Sequence, residues 1–235
     1  MYGAYALSAL SIDFGDLKIQ VKKENGCYLY SRSLRNSKVE KILFEDAEVY
    51  VNPVEPVNLP KKITNYLYIA FKKPVLISPA SKAEIYLTFP IEIAVILKKE
   101  GIIEDIDIFS FLSQKFALYG EPRGGIIGRY WESDVFSKIP DVDPFIEGIL
   151  KLKITNLSNS WCEVSKAVFD VYGMELYYNK NTVSSIAEMR IHSKRVADTY
   201  FIHGPLFRDM KGSLELYSGR FIPVLGAKFT MEWGL

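Results

Sequence analysis

The sequence contains few of the residues that build disulfide scaffolds or metal centres. Its 235 residues include only two cysteines, Cys27 and Cys162, and two histidines, His192 and His203. A disulfide framework needs more cysteines, and a structural zinc site needs a set of closely spaced Cys or His ligands. We therefore expect free thiols in a reducing, cytoplasmic compartment, and no metal or other cofactor. A single bridge between Cys27 and Cys162 is the alternative.

No region of the chain carries a strong excess of positive charge. The formal net charge is +1, and the segment 101–150 holds nine acidic and four basic residues. A nucleic-acid-binding protein normally concentrates basic side chains on one face, so we expect no nucleic-acid partner. Two acidic pairs, Asp105 with Asp107 and Asp141 with Asp143, could bind calcium through oxygen atoms. Neither pair lies in a complete calcium-binding loop, so we expect solvated loops there.

Long apolar runs and glutamine are also scarce. No run reaches the roughly 18 apolar residues that a transmembrane helix needs, and the first twelve residues lack a basic leader and a cleavage site. We therefore expect a soluble, intracellular protein. Only Gln20 and Gln114 are glutamines, while Lys, Glu, Ile and Tyr are plentiful, a composition typical of thermophilic proteins.

The dominant pattern is an alternation of apolar and polar residues, which predicts strands. In the segment 85–97 every odd position is Ile, Leu, Phe or Val, so we expect one long strand there. Pro90 predicts an edge, a bend or a bulge in it, because proline cannot donate a ladder hydrogen bond. Asn25 and Gly26 predict the tip of a hairpin. We expect a mainly β protein: an antiparallel two-sheet β-sandwich with at most one or two short helices.

The sequence gives only one possible domain boundary. The segment 52–62 contains three prolines and is a possible internal seam. We interpret it as a crossing within a single β-rich domain that covers residues 1–235, because the strands before it would bury too little apolar surface alone. The alternation also predicts C-terminal strands at 213–217, 221–224 and 227–233.

The most distinctive motif lies between Tyr119 and Trp131, where three glycines stand between two arginines. Glycines let successive backbone N–H groups point at one anion, and arginines donate paired hydrogen bonds to carboxylates or phosphates. Two aromatic rings would add a stacking wall. The predicted ligand-binding residues are Arg123, Gly124, Gly125, Gly128, Arg129, Tyr130 and Trp131. A hairpin turn whose glycines adopt positive φ is the alternative interpretation.

A second candidate is the outward face of the strand that carries Glu188, Arg190 and His192. Alternate residues of a strand share a face, so these three side chains would lie side by side and could perform acid–base chemistry. A solvated charged face is the better expectation. The sequence has no Gly-x-Ser-x-Gly nucleophile motif, so whether the protein is an enzyme stays open, and we favour a non-enzyme.

Short aromatic motifs are spread along the chain. They are Lys115–Gly120 with Gly128–Trp131, Trp161–Asp170, Ala187–Ile191 and Met231–Leu235. Together they resemble an archaeal domain-of-unknown-function family, number 432, over nearly the whole chain. The resemblance implies one family-wide unit and an archaeal source. It brings no established activity, so it assigns no catalytic residue.

Three function hypotheses follow. The first is a non-enzymatic binding module that uses the segment 119–131 for a small anionic ligand or a protein partner. The second is an enzyme acting on a small anionic or sugar-type substrate, with Glu188, Arg190 and His192 as its acid–base groups. The third is an oligomeric structural or accessory protein whose edge strands pair between subunits. The sequence leaves the ligand, the partner and the oligomeric state open.

Overall fold

A computed structural model describes residues 1–60, 63–214, 216 and 228–235. Its strands are β1 Gly3–Ala6, β2 Ser11–Phe14, β3 Leu17–Glu24, β4 Cys27–Leu34, β5 Ser37–Leu43, β6 Glu48–Val54, β7 Tyr66–Ile77, β8 Lys82–Pro90, β9 Glu92–Lys99, β10 Ile102–Phe109, β11 Phe116–Tyr119, β12 Ile126–Ser133, β13 Glu147–Asn156, β14 Cys162–Asp170, β15 Tyr177–Tyr178, β16 Val183–Ile191, β17 Ala197–Ile202, β18 Lys211–Gly212 and β19 Phe229–Met231. The helices of the described residues are two single 3-10 turns, Leu7–Ala9 and Val171–Gly173. The expected mainly β class is confirmed.

The strands of the described residues form four sheets. Sheet A has the order β1-β6-β9-β10, and sheet B is the meander β2-β3-β4-β5. Sheet C has the order β11-β12-β7-β14. Sheet D has the order β18-β15-β16-β13-β8, with β17 and β19 added beside β16. Most pairs are antiparallel, but β12 with β7 and β13 with β16 are parallel. The expected sandwich is confirmed, with four sheets in place of two.

The sheets pack in two layered pairs. Sheet B contacts sheet A through Tyr30 and Arg32 of β4, which both bond to Asp107 of β10. Asp105 and Asp107 therefore lie in a strand, with Asp107 buried, and the solvated loop expected there is wrong. Sheet C contacts sheet D where the Trp131 indole N–H donates to the Thr88 hydroxyl at 3.0 Å. Buried apolar side chains of all four sheets belong to one continuous cluster, which includes Leu17, Val95, Ile69 and Leu152.

The run 85–97 is two strands rather than the one long strand that its alternation predicted. β8 ends at Pro90 in sheet D, and β9 begins at Glu92 in sheet A. Ile91 lies between them and its N–H donates to the Ile146 carbonyl at 3.0 Å. The break falls beside the proline, as the missing N–H group led us to expect. The apolar pattern runs on because both strands are buried at this point, so it conceals the change of sheet.

The proline-rich segment 52–62 leads from β6 of sheet A towards β7 of sheet C. It therefore connects the A/B pair to the C/D pair, although the single domain over 1–235 stays a prediction. Residues 61 and 62 lie outside the described part of the chain. So do residues 221–224 and, within the predicted strand 213–217, residues 215 and 217. The described residues 213, 214 and 216 belong to no strand, whereas β19 lies within the predicted strand 227–233.

Two smaller expectations concern the N-terminal meander and the cysteines. Asn25 and Gly26 form the tip of the β3–β4 hairpin with φ of 49° and 85°, so the predicted Asn-Gly hairpin is confirmed. Both cysteines are free thiols: Cys27 is half-buried and Cys162 is buried.

Candidate functional site

The glycine-rich segment forms a tight turn between β11 and β12. The Glu121 carbonyl accepts hydrogen bonds from the N–H groups of Gly124, at 3.2 Å, and Gly125, at 2.7 Å. These N–H groups are therefore used inside the turn rather than held open for an anion. A Cβ atom on Gly125 would lie 2.6 Å from the Tyr119 carbonyl oxygen, so the close backbone approach accounts for this glycine.

The two arginines of the segment lie in different environments. Arg123 is exposed in the turn, whereas the Arg129 side chain is 1% exposed and belongs to β12. An Arg129 Nη1 group donates to the Lys115 carbonyl at 3.3 Å, and the guanidinium lies 5.9 Å from the centre of the Phe116 ring. Only one of the two predicted anion donors is therefore open to solvent. The anion site stays a prediction, with Arg123 as its one exposed arginine.

The aromatic residues of the segment point to opposite faces of sheet C. Tyr130 pairs with Tyr68 in the β12–β7 ladder and contacts it edge-on, with ring centres 5.6 Å apart. Gly128 packs closely against Tyr68: a Cβ atom on Gly128 would be 2.9 Å from the Tyr68 Cβ atom. Trp131 points inwards to Thr88 of sheet D. The structure therefore does not bring the seven predicted residues together around one ligand.

The second candidate face pairs its own charges. Glu188 and Arg190 form an ion pair of 2.9 Å, and the Arg190 guanidinium lies 5.2 Å from the centre of the Tyr200 ring. The His192 Nε2 atom is 2.6 Å from an Asp198 carboxylate oxygen. Burial raises the pKa of Glu188, but the hydrogen bond and the charge of Arg190 act in the opposite direction, and the pKa lies below its usual value. This pairing favours the solvated charged face, and the catalytic role stays a prediction.

Glu92 of sheet A and Arg129 of sheet C are both buried, at the place where the A/B sheets meet the C/D sheets. The sequence analysis did not predict that these two ionisable groups lie near each other. Glu92 of sheet A is fully buried, and one carboxylate oxygen accepts from the Asn58 N–H at 2.9 Å. Its other oxygen, Oε1, has no hydrogen-bond partner among the described residues, and neither has Nε of Arg129. Desolvation raises the pKa of Glu92 to about 7, although the Asn58 N–H and the Arg129 charge act to lower it. The sequence signal for this buried carboxylate is that Glu92 has apolar residues on both sides.

A groove opens between two walls, the end of β5 with the residues that follow it and the hairpin of β9 and β10. Its volume is about 630 Å³. Most of its lining is apolar, and the charged residues lie among the apolar ones. The lining residues are Ile42, Leu43, Phe44, Glu45, Ala47, Leu97, Lys99, Glu100, Ile102 and Glu104. We call this feature the apolar groove.

Three side chains of the apolar groove are unusually open to solvent. Phe44 is 82% exposed, Ile102 is 74% exposed and Ile42 is 59% exposed. Lys99 of β9 forms an ion pair with Glu45, which follows β5, so this contact joins the two walls. The consecutive apolar residues 42–44 were the available sequence signal. A contiguous exposed apolar surface with a polar rim marks an interaction site more often than scattered apolar side chains do.

The family described as Protein of unknown function (DUF432) matches residues 1–232. The chain belongs to this family. The expected family resemblance is thereby confirmed. No curated protein and no solved structure matches the DUF432 chain. The family description names no activity.

Within residues 1–60, 63–214, 216 and 228–235, no group of three or more His, Cys, Asp or Glu side chains is placed to hold a metal ion. In the same ranges no helix has both the length and the apolar character that a bilayer crossing requires.

Proposed function

We propose that this DUF432 protein is a non-catalytic protein-binding module and that the apolar groove is its binding surface. The observation that carries the proposal is Phe44, which is 82% exposed between Ile42 and Ile102. Burying a large apolar side chain contributes about 1.5–3 kcal/mol, so a partner that covers these three gains substantial binding free energy. Protein interfaces combine apolar side chains with charged ones, and the lining of the apolar groove has both.

The shape of the apolar groove suits a protein partner better than a small ligand. Small-molecule sites are concave and bury most of the ligand surface. Here Ile42, Phe44 and Ile102 are each more than half exposed, so the walls cannot enclose a small molecule. A larger surface laid across them would bury all three at once.

The charged residues that line the apolar groove indicate which kind of partner binds there. Glu45, Glu100 and Glu104 line the apolar groove with Lys99 as the one cation of the lining, and that lysine is already paired with Glu45. A second copy docked by two-fold symmetry would bring the same carboxylates towards each other. An anionic membrane surface would also be repelled. The acidic lining therefore favours a different protein that presents basic residues beside apolar ones.

We also propose that the protein works in the cytoplasm of a thermophilic archaeon. The archaeal source is what the resemblance of its motifs to the family implies. The scarcity of glutamine and the abundance of Lys, Glu and Ile support the thermophilic character. The free thiols of Cys27 and Cys162 support a reducing compartment.

A random peptide display library tests the protein-binding proposal. Peptides selected on the wild-type protein are measured against Phe44→Ser and against Leu76→Ser, a matched control because Leu76 is 60% exposed on sheet C. We expect Phe44→Ser to weaken binding at least about tenfold and Leu76→Ser to leave it unchanged. Equal affinity for the wild type and Phe44→Ser would overturn the assignment of the surface.

A further inference from the structure

The strand β5 leaves one of its edges open beside the apolar groove. It pairs with β4 from Ser37 to Leu43 in an unbroken register, with no bulge and no proline. On its other side it pairs with no strand in the described part of the chain. Its unpaired backbone N–H and C=O groups are therefore available to another strand.

The other edges of the described sheets are short, bulged or covered. β1, β2 and β11 have four residues each, and β18 has two. β10 has a register shift between Asp105 and Asp107, and β14 has one between Val164 and Lys166. β8 is bridged to Phe136. Such features are the usual protection of sheet edges, and β5 lacks them.

Charge is the one protective feature of β5. Lys38 and Lys41 lie on the strand, and lysine on an edge disfavours pairing. Lys38 is neutralised by an ion pair of 2.8 Å with Glu40. The apolar groove begins at the other end of the strand, at residues 42–44. The open edge thus runs directly into the exposed apolar surface.

We propose that the partner binds as an extended strand that adds to β5, with alternate apolar side chains in the apolar groove and basic residues at its ends. The proposal rests on the proposed function, which makes the apolar groove a protein-binding surface. Strand addition lets main-chain hydrogen bonds supply affinity while alternate side chains enter pockets and supply specificity. Basic residues beyond the apolar ones would meet Glu100 and Glu104, because Glu45 already pairs with Lys99.

A synthetic peptide of sequence Lys-Lys-Leu-Thr-Leu-Thr-Leu-Lys-Lys is the probe for this proposal. Its affinity is measured by fluorescence anisotropy with the whole protein. The first control has the same composition in the order Lys-Leu-Thr-Lys-Leu-Leu-Thr-Lys-Lys, which breaks the alternation. The second control replaces every lysine with glutamate. We expect the probe to bind and each control to bind at least about tenfold more weakly, because alternation and positive charge are both required.

N-methylation of the probe tests the backbone pairing itself. The N–H groups of alternate residues in a strand point to the same edge. One peptide is therefore methylated at the three leucine nitrogens and another at the two threonine nitrogens. We expect one of the two to lose binding at least about tenfold and the other to bind like the parent. Phe44→Ser should weaken the parent in either case.

The outcomes separate the two proposals. If both methylated peptides bind like the parent, and Phe44→Ser still weakens them, strand addition is wrong and the protein-binding surface stands. If the reordered peptide binds as tightly as the probe, strand addition is also wrong. If the probe does not bind, or the glutamate peptide binds equally well, the basic and apolar partner chemistry is wrong.

Discussion

Arg32 and Asp107 form a buried, two-pronged ion pair between sheets B and A. The Arg32 Nε atom lies 2.5 Å from one Asp107 oxygen, and Nη2 lies 3.4 Å from the other. The Tyr30 hydroxyl donates to the same carboxylate at 2.8 Å. The pair joins β4, which pairs with β5, to β10, and both β5 and β10 contribute residues to the apolar groove.

Breaking this buried pair should cost stability. Asp107→Asn leaves the Arg32 charge buried without its counter-ion, so we expect the free energy of unfolding to fall by about 3–5 kcal/mol. Asp13→Asn is the matched control, because Asp13 pairs with Lys18 on the surface and exposed pairs contribute little. Denaturant unfolding measures both variants. An unchanged unfolding midpoint for Asp107→Asn would show that the pair does not join the sheets.

Glu92 should make stability depend on pH. Its pKa rises from 4.5 to about 7 in the folded protein because burial disfavours the charged carboxylate. Below pH 4.5 both states hold the proton, so there is no cost. As the pH rises towards 7 the unfolded state loses its proton first, and the free energy of unfolding falls by about 3 kcal/mol. Above pH 7 the folded state ionises too, and this contribution becomes constant.

The Glu92→Gln variant tests that dependence. Glutamine keeps an oxygen that can accept the Asn58 N–H but does not titrate. We expect the variant to gain stability relative to the wild type as the pH rises from 4.5 to 7. Chemical unfolding at several pH values measures the difference. Parallel pH profiles for the two proteins would contradict the assignment.

Tyr119 should hold the C-terminal residues against sheet C. Its hydroxyl donates to the Gly234 carbonyl at 3.0 Å and accepts from the Trp233 N–H at 3.1 Å. Tyr119→Phe removes both bonds, so we expect a loss of about 1–3 kcal/mol and a change in tryptophan fluorescence. Tyr86→Phe is the control, because that hydroxyl bonds only at the surface. Equal unfolding midpoints for the two variants would refute the role of Tyr119.

Small anions should leave the stability of the protein unchanged. The Gly124 and Gly125 N–H groups are used within the turn and Arg129 is buried, so a sugar phosphate would meet Arg123 alone. A ligand at 100 times its dissociation constant would add about 2.7 kcal/mol, which a thermal-shift panel detects readily. A stabilising shift that disappears in Arg123→Ala would restore the anion-binding hypothesis.

The alternation of apolar residues predicted the strand class because it reports which residues face a core. It could not assign strands to sheets, as the run 85–97 demonstrates: both faces are buried at the crossing from sheet D to sheet A. Likewise, the glycines and arginines of 119–131 suggested anion chemistry, but the β12–β7 register buries Arg129. The apolar groove forms where β5 and β10 are edge strands. Which strands become edges depends on pairing between residues far apart in the sequence, and the local apolar pattern does not report this pairing.

Amide hydrogen exchange of the wild-type protein, measured with and without the Lys-Lys-Leu-Thr-Leu-Thr-Leu-Lys-Lys peptide, shows which backbone segment the partner covers. We expect slower exchange in β5, Ser37–Leu43, and no change in the turn 121–125. Protection of that turn with unchanged exchange in β5 would place the binding surface at the glycine-rich segment and rule out strand addition to β5.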